Sequence, residues 1–387
     1  MRVAHVITRM ILGGAQENTL LNCEDLLRDY SDDVLLITGP SIGPEGDLLE
    51  RARRNLVPLS IIDPLRRDIH PTRDWASYRA LRRVLIDFRP DVVHTHSAKG
   101  GLLGRLAADS LGIPAIVHTV HGAPWHPYQS ALARQFFIRC ERFAANRCHA
   151  LISVADAMTD LLVDARVAPR EKFTTIYSGM EVEPFVNADM RRDETRSMLG
   201  FGPEHVVIGK VARLFHLKGH ADVIRAAQTV AKKFPQARFL FVGDGILRAE
   251  LERQADDAGL AKVIRFVGLV PPTEVANYIG AMDIVVHASL REGLARVLPQ
   301  GLIAGKPVVS YDVDGAREVV KTGETGFLIP PQDEHALADA LGQLIADPAL
   351  RATLGSEGRR RFTDQFRHQE MTRRVRELYE RCLAAKG

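Results

Sequence analysis

The sequence predicts an α/β fold of two domains, each built on a doubly wound parallel sheet. The chain has 387 residues, which at roughly 150 residues per domain suggests two large domains or three small ones. Short apolar runs rich in β-branched residues alternate with longer helical patterns, as in parallel sheets with right-handed crossovers. A polar, charged stretch between Glu183 and Glu204 separates two such halves, and we place the domain boundary at residue 185.

The apolar runs are predicted to be strands covered by helices on both faces, because they are almost continuously apolar. In the first half they are residues 3–7, 34–37, 57–62, 91–94, 115–120, 150–153 and 173–177, and in the second half residues 206–211, 238–242, 263–267, 284–287, 307–310 and 326–329. Residues 223–234 carry one apolar stripe at helical spacing, which predicts a helix between two of the strands. The stretch after Phe362 is predicted to be a charged helix with few apolar positions.

The composition is that of an ordinary globular protein, with 46% hydrophobic and 26% charged residues. A net charge of +3 without a zinc-finger or RNA-binding signature gives no reason to expect a nucleic-acid partner. The four cysteines form no CxxC pair, so we expect reduced thiols in a cytoplasmic protein. Residues 1–7 predict a strand rather than a signal peptide, and no apolar run has the length of a membrane helix.

Residues 51–89 hold ten arginines and four aspartates. Solvated helix faces explain such a bias most simply. The alternative is a surface that docks on anionic lipid.

Two glycine turns follow predicted strands, where ligands of doubly wound sheets bind. Gly13 and Gly14 open a helix after the first strand and would let the backbone approach a ligand, although a tight turn is the plainer interpretation. No GxGxxG is present there, so a dinucleotide site is disfavoured. Gly243 lies in a similar turn after residues 238–242, where a plain turn is again an equally good interpretation.

Arg213 and Lys218 flank a short loop after the strand at residues 206–211. A diphosphate is recognised well by a planar guanidinium fork together with a compact ammonium, and this loop supplies both. Read alone, an arginine and a lysine in a loop are more often solvated than functional.

Residues 289–300 are the most informative segment, since they leave a buried strand and enter a helix whose first turn can accept Pro299. The turn would direct backbone N–H groups of Leu294, Ala295 and Val297 towards a ligand. Glu292 would reach sugar hydroxyls, and Gln300 another part of the same ligand.

Histidines and a DxD pattern raise the question of a metal. His121 follows the strand at residues 115–120, where it could bind a substrate or transfer a proton. His94, His96 and His118 are expected to be packed in the core. His96 and His121 could resemble metal ligands, but no carboxylate or cysteine spacing supports them. Asp312 and Asp314 are expected to form an ordinary loop, so we predict no metal.

Taken together, these motifs resemble the retaining family-4 glycosyltransferases of the GT-B fold, also called glycosyl transferases group 1. The matching segments, in the family's order, are residues 13–16, 119–122, 176–179, 212–214 with 218–219, 242–245, 291–294, 305–309 and 323 with 326–328. The resemblance implies two Rossmann-like domains facing a central cleft. Residues 1–185 would form the acceptor-side domain and residues 186–365 the nucleotide-sugar donor domain. Residues 366–387 would form a helix that crosses back to the first domain.

The resemblance also assigns roles to individual residues. His121, Arg213, Lys218 and Glu292 would be catalytic, with the two cations gripping the diphosphate and His121 lying against the transferred sugar. The donor-binding residues would be Gly13, Gly14, Gly243, Val270, Gly293, Leu294, Ala295, Val297 and Gln300, with Val270 in the loop near the nucleotide base.

Gln300 is the clearest departure from the family pattern, which has a second glutamate at this position. Glutamine can still bind ribose hydroxyls, but it carries no charge. Ala295, where proline is usual, and Ser178, where asparagine is usual, are milder departures.

The function implied is retaining, metal-independent transfer of a hexose from a nucleotide-sugar, expected to be a UDP-sugar, without a cofactor. The acceptor would be a saccharide or a polyprenyl-linked saccharide in polysaccharide or glycoconjugate biosynthesis. It would be held near Gly13 and residues 51–67 and 125–128, with peripheral attachment at most to the inner membrane face. Two alternatives stay open: a nucleotide-sugar epimerase of similar architecture, and a non-catalytic sugar-nucleotide-binding protein.

Overall fold

In a computed structural model of the chain, residues 1–41, 46–125 and 129–385 are described. They form two compact units. The first unit comprises Met1–Met180 and Phe366–Gly387, and the second comprises Glu181–Gln365. The chain therefore enters the second unit at Glu181, slightly before the boundary placed at residue 185. Within the described residues, no helix is both long and apolar enough to cross a membrane.

The first unit is a seven-stranded parallel sheet with the strand order β3-β2-β1-β4-β5-β6-β7. Its strands are β1 Arg2–Arg9, β2 Asp33–Gly39, β3 Leu59–Ile61, β4 Val92–His96, β5 Ala115–Val120, β6 Ala150–Ser153 and β7 Phe173–Thr175. Its first helices are α1 Gly14–Tyr30, α2 Leu49–Arg54, α3 Pro71–Phe88, α4 Ala98–Ser110, α5 Ala131–Ala145 and α6 Asp156–Asp164.

The second unit is a six-stranded parallel sheet with the strand order β10-β9-β8-β11-β12-β13. Its strands are β8 Val206–Val211, β9 Ala237–Val242, β10 Ile264–Gly268, β11 Ile284–His287, β12 Val308–Tyr311 and β13 Gly326–Ile329. Its helices are α7 Glu183–Val186, α8 Arg192–Leu199, α9 His220–Lys233, α10 Arg248–Asp257, α11 Val275–Ala281, α12 Val297–Ile303, α13 Ala316–Val319, α14 Glu334–Ala346 and α15 Pro348–Phe362.

The predicted α/β class with two parallel sheets is confirmed, and each predicted strand has its counterpart. The strand bounds differ from the predicted ones by up to two residues, and β3 and β4 show why. β3 is shorter than the apolar run at residues 57–62, because it pairs only through Leu59–Ile61 with β2. β4 continues to His96, beyond the predicted end at residue 94, because its last residues pair with β5. Both sheets are covered on both faces, and the central strands β1, β4, β8 and β11 hold residues that are almost fully buried.

Helix α16, His368–Ala384, belongs to the first unit. The expectation of few apolar positions was wrong. Met371, Val375, Leu378, Tyr379 and Cys382 are buried in the core of the first unit at helical spacing.

Polar contacts add to the docking of α16. Asp25 of α1 accepts hydrogen bonds from His368 (2.7 Å) and Thr372 (2.8 Å), and the hydroxyl of Tyr379 lies 2.5 Å from Nδ1 of His94. Most charges of α16 therefore lie on its outer face, while Arg376 pairs with the buried Asp32 at 3.0 Å.

Each sheet has a point where the strand order reverses. In the first sheet β1 and β4 are neighbours, and in the second β8 and β11. The crossovers from the two neighbouring strands leave on opposite sides, so the loops at their carboxyl ends diverge and leave a crevice for ligands. In the second sheet, those two loops contain Arg213, Lys218 and Glu292.

Candidate functional site

The loops after β8 and β11 are joined by an ion pair between Lys218 and Glu292. Both side chains are partly enclosed, with 22% and 25% of their surfaces exposed. Burial opposes ionisation of Glu292, but the facing His287 and the charge of Lys218 outweigh it and lower the pKa of Glu292 to about 2. Nε2 of His287 is 3.9 Å from the carboxylate of Glu292, which is too long for a normal hydrogen bond. The direct partner of the Glu292 carboxylate is therefore Lys218. A carboxylate and an ammonium are thus held side by side at the crevice.

The backbone around this pair is fixed by hydrogen bonds between loops. The N–H of Glu292 donates to Oδ2 of Asp314 (2.5 Å), and the N–H of Leu290 donates to the carbonyl of Leu217 (2.8 Å). Asp314 therefore positions Glu292, while its neighbour Asp312 binds Arg317 (2.9 Å). Both carboxylates of the DxD pattern have structural partners, in line with its interpretation as an ordinary loop.

Gly219 allows the loop after β8 to pass close to β11. It adopts a φ of 66°, and a Cβ atom at this position would lie 1.9 Å from the carbonyl oxygen of Ala288. Leu217 also has a positive φ, 65°, which is uncommon for a residue with a side chain. The close approach of Gly219 to Ala288 and the positive φ of Leu217 leave little conformational freedom for the backbone of Lys218, which lies between Leu217 and Gly219.

Arg213 follows the same strand as Lys218 but has an exposed side chain. Its guanidinium carbon is 5.0 Å from the ring centroid of Phe215, an arrangement that favours a fixed orientation. The predicted pair of cations is therefore present in one loop, with Lys218 enclosed and Arg213 open to solvent.

Gly243 and Val270 lie at the same edge of the second sheet, after β9 and β10. A Cβ atom on Gly243 would lie 2.1 Å from the carbonyl oxygen of Ala212, so the glycine is required for the approach of two loops. Val270 is partly buried beside the exposed Leu269. Their predicted roles in donor binding stay predictions.

The segment before α12 follows the predicted course from strand to helix. Gly293 accepts a hydrogen bond from the N–H of Gly315 (3.0 Å). Leu294 is partly buried, and Ala295 and Val297 are each 8% exposed, so any contact these two residues make with a ligand would be through the backbone. Gln300 is partly buried on α12, one helical turn after its first residue.

In the first unit, the predicted residues lie at the carboxyl ends of β1 and β5. Gly13 precedes α1 and Gly14 begins it. The carboxyl end of β1 is tied to the residue that follows β4 by a hydrogen bond of 2.6 Å between the hydroxyls of Thr8 and Ser97. Of the expected acceptor region at residues 125–128, residues 126–128 lie outside the described part of the chain.

His121 is the end of a chain of histidines in the first unit. Its Nε2 lies 3.1 Å from Nδ1 of His96, and Nε2 of His96 lies 3.1 Å from Nδ1 of His5. Burial is the main cause that lowers the pKa of His96, and of His94 beside it, well below 6.5. The hydrogen-bonded row of His5 and His96 orients the ring of His121. The motif after the strand did not reveal this feature.

His5, His94 and His96 also bring ring nitrogens within 4.8 Å of one another, as metal ligands do. However, both nitrogens of His96 already face neighbouring histidines, and both of His94 face Tyr379 and Thr119. A metal would have to displace several of these contacts. The absence of a metal cofactor stays a prediction.

Two family descriptions match the chain, one in each half. "Glycosyl transferase 4-like domain" matches residues 13–179, and "Glycosyl transferases group 1" matches residues 191–361. Together these matches span most of the sequence. The chain is a GT-B glycosyltransferase.

Similar proteins support this assignment over three quarters of the chain or more. This glycosyltransferase is 28% identical over 382 residues to the UDP-Gal:alpha-D-GlcNAc-diphosphoundecaprenol alpha-1,3-galactosyltransferase of Escherichia coli, covering 98% of this chain and 96% of that one. It is 28% identical over 305 residues to the D-inositol 3-phosphate glycosyltransferase of Corynebacterium urealyticum, covering 75% and 71%.

Among solved structures, HepE of Anabaena in complex with UDP has a TM-score of 0.84 and 22% identity, covering 98% of this chain and 100% of that one. At this identity the likeness shows the fold, two Rossmann-like units of the GT-B class.

Proposed function

We propose that this enzyme is a retaining, metal-independent glycosyltransferase that transfers a hexose from a UDP-sugar to a saccharide or polyprenyl-linked saccharide. The observation that carries the donor assignment is the enclosed ion pair of Lys218 and Glu292 at the point where the strand order of the second sheet reverses. This crevice offers an ammonium for phosphate and a carboxylate for hydroxyls within one small volume.

The names of similar proteins support a UDP-sugar and a lipid-linked acceptor. The E. coli relative is named for UDP-Gal and for a diphosphoundecaprenol-linked acceptor, and HepE has been crystallised with UDP-glucose. A capsular polysaccharide biosynthesis glycosyltransferase of Staphylococcus aureus is also similar, at 24% identity. We therefore place the reaction in the synthesis of a polysaccharide or glycoconjugate.

The chemistry follows from the charges in the crevice. Negative charge develops on the leaving diphosphate as the bond to the anomeric carbon breaks, and Lys218 and Arg213 would stabilise it. Glu292, ionised because its pKa is about 2, accepts hydrogen bonds from sugar hydroxyls and cannot serve as a proton donor near neutral pH. The leaving phosphate is then the base that takes the acceptor proton, with attack from the same face and retention of configuration.

A donor screen with purified enzyme tests the proposal. UDP-glucose, UDP-galactose, UDP-N-acetylglucosamine and GDP-mannose would be compared for binding and for slow hydrolysis without acceptor. Lys218→Ala should abolish transfer and weaken donor binding, whereas the exposed Lys262→Ala should behave as wild type. Wild-type turnover in Lys218→Ala would contradict the donor assignment. Formation of an epimeric nucleotide-sugar without any acceptor would instead favour an epimerase, and binding without turnover a non-catalytic protein.

Helix α3 offers a surface for the membrane that carries a lipid-linked acceptor. Trp75 and Ile86 are 61% and 53% exposed, and the exposed Arg79 and Arg83 lie between them at helical spacing. Apolar and basic residues on one helix face are typical of helices that lie in the interface of anionic bilayers. We propose that this face, defined by these four residues, docks the enzyme on anionic lipid.

Vesicle sedimentation tests the docking face. Wild-type enzyme should sediment with vesicles containing anionic phospholipid at low salt and remain in solution with neutral vesicles. The double variant Arg79→Gln/Arg83→Gln should lose most of this binding, whereas Arg253→Gln, an exposed arginine of α10, should keep it. Equal binding by both variants would show that α3 is not the docking face.

A further inference from the structure

Lys210 is a buried lysine in the central strand β8, beneath the donor crevice. It is 1% exposed and lies on the same sheet face as Ile208, since side chains alternate along a strand. Its register partner on β9 is Phe241, which belongs to the core beneath α9. Within the described residues, the ammonium Nζ of Lys210 has no hydrogen-bond partner. A lysine so placed has no evident role in folding.

The titratable groups that interact with Lys210 lie on several elements around the crevice. They are Lys218 in the loop after β8, His220 and Asp222 of α9, His287 of β11 and Glu292 in the loop after β11. Both carboxylates among them already have partners. Glu292 pairs with Lys218, and Asp222 accepts from Tyr311 (2.9 Å) and Arg225 (2.6 Å).

The same place holds other buried polar atoms that lack a hydrogen bond. Among the residues described here, both ring nitrogens of His220, Nε2 of His287 and Oγ of Ser289 have no partner. Buried polar groups are nearly always paired in native proteins. A concentration of unpaired groups beneath one crevice therefore indicates that the crevice is completed by a ligand.

The charge state of Lys210 follows from this surrounding. A buried ammonium without a paired anion is costly, and the positive charge of Lys218 adds repulsion. Burial first, and Lys218 second, lower the pKa of Lys210 to about 7, although Glu292 and Asp222 act in the opposite direction. Near neutral pH an appreciable fraction of Lys210 is therefore an uncharged amine. Its two histidine neighbours are also held neutral by burial, with the pKa of His220 at about 2.

We propose that Lys210 takes up a proton from solvent when the diphosphate of a nucleotide-sugar binds in the crevice above it, so that donor binding is coupled to protonation. This inference rests on the proposed function, because it requires a diphosphate next to Lys218. The nitrogen lone pair of Lys210 accepts the proton, no bond of the donor is broken in this step, and the proton is released when the nucleotide leaves. The negative diphosphate supplies the counter-charge that Lys210 lacks among the described residues.

Calorimetric titration with UDP-galactose and UDP-glucose tests the proposal on the complete enzyme without acceptor. Their diphosphate is esterified at both ends and does not titrate near neutrality, so any proton uptake belongs to the protein. Repeating the titration in buffers of different ionisation enthalpy gives the number of protons taken up. For a pKa of about 7, the uptake should be roughly 0.5 proton at pH 7 and approach about one at pH 8.5.

Lys210→Met removes the amine but keeps a side chain of similar shape. It should abolish the uptake and weaken donor binding at pH 7 by more than about a hundredfold, because uptake of nearly one proton at pH 8.5 requires the charged lysine to bind the donor that much more tightly than the neutral amine. The wild-type affinity should fall as the pH rises above 7, and that of the variant should not. The variant should also melt at a higher temperature, because an unpaired buried amine is replaced by an apolar group. A residue needed only for folding would give a lower melting temperature.

Lys306→Met is the matched control, because Lys306 is also buried but is paired with Asp189 at 2.6 Å. Its uptake should equal that of the wild type. Two results would overturn the role of Lys210 while leaving the donor site intact. One is binding of a UDP-sugar to the wild type at pH 8.5 without proton uptake, and the other is undiminished proton uptake in Lys210→Met. Loss of uptake in His220→Gln but not in Lys210→Met would assign the proton to the histidine. Failure of every nucleotide-sugar to bind would instead overturn the donor site itself.

Discussion

Replacing Glu292 by glutamine tests the electrostatics of the donor crevice most directly. The variant removes the negative charge that faces Lys218 and keeps the shape of the side chain. The pKa of Glu292 is about 2 instead of its usual 4.5, and each pH unit of such a difference corresponds to about 1.4 kcal/mol. The neutral side chain should therefore destabilise the second unit by up to about 3 kcal/mol at pH 7.

The pH dependence has a defined sign. Because the folded pKa is lowered, the stabilisation by Glu292 is present above pH 4.5 and is lost as the pH falls towards 2. The difference between wild type and Glu292→Gln should thus be largest near neutrality and shrink to roughly half at pH 3.

The two units can be followed separately in one unfolding experiment. Both tryptophans of the chain, Trp75 and Trp125, lie in the first unit. A urea transition seen by tryptophan fluorescence therefore reports the first unit, and far-ultraviolet circular dichroism reports both. Glu292→Gln should leave the fluorescence transition of the first unit unchanged. It should shift only the unfolding of the second unit, which is the part of the circular dichroism transition that fluorescence does not detect.

Glu357→Gln is a control, because the carboxylate of Glu357 has a similarly lowered pKa but more exposed partners. The pKa of Glu357 is also about 2, owing to hydrogen bonds from Arg360 and Arg361 of α15, whose side chains are 69% and 35% exposed, whereas Lys218 is 22% exposed. Solvent screens such pairs, so they contribute little to stability. Equal destabilisation by Glu292→Gln and Glu357→Gln would refute the argument that enclosure makes the Lys218–Glu292 pair strong. An unchanged unfolding transition of the second unit in Glu292→Gln would refute it as well.

Three further predictions concern the backbone, the ribose contact and the C-terminal helix. Gly219→Ala should greatly weaken UDP-sugar binding in calorimetry, because the added Cβ would lie 1.9 Å from a carbonyl oxygen. Gly259→Ala is the control: Gly259 also has a positive φ, but among the described residues it has no neighbour within 4 Å. This variant should lose only about 1–2 kcal/mol of stability in thermal melting. Gln300→Glu should still bind the donor in the same titration; loss of binding would show a site adapted to a neutral side chain. Asp25→Asn should lower the fluorescence-detected stability of the first unit by about 1–3 kcal/mol, since a buried carboxylate that accepts from His368 and Thr372 is lost; an unchanged transition would mean that these two hydrogen bonds do not contribute to the docking of α16.

Sequence patterns located the donor loops because local rules decide where strands end. The apolar runs ending at Val211 and His287 became β8 and β11, and polar residues after parallel strands are brought to one edge of the sheet. The motif order was sufficient to name Arg213, Lys218 and Glu292. It could not show that Lys218 and Glu292, 74 residues apart, form an ion pair.

Other parts of the site were beyond the sequence because they depend on contacts between distant segments. Asp314 was read as half of a DxD pattern, yet it positions the backbone of Glu292. Lys210 was part of an apolar run, and only the packing of α9 against β8 shows that its ammonium is buried without a partner among the described groups.

The sequence by itself determined the α/β class, the order of the strands along the chain and the loops that carry the chemistry, since each depends on local periodicity and turn residues. The tertiary structure decided which loops meet, because the strand order reverses between β8 and β11. It also decided the charge states of Lys210 and Glu292. A pKa depends on burial and on neighbouring charges, and here both come from residues that are remote in the chain.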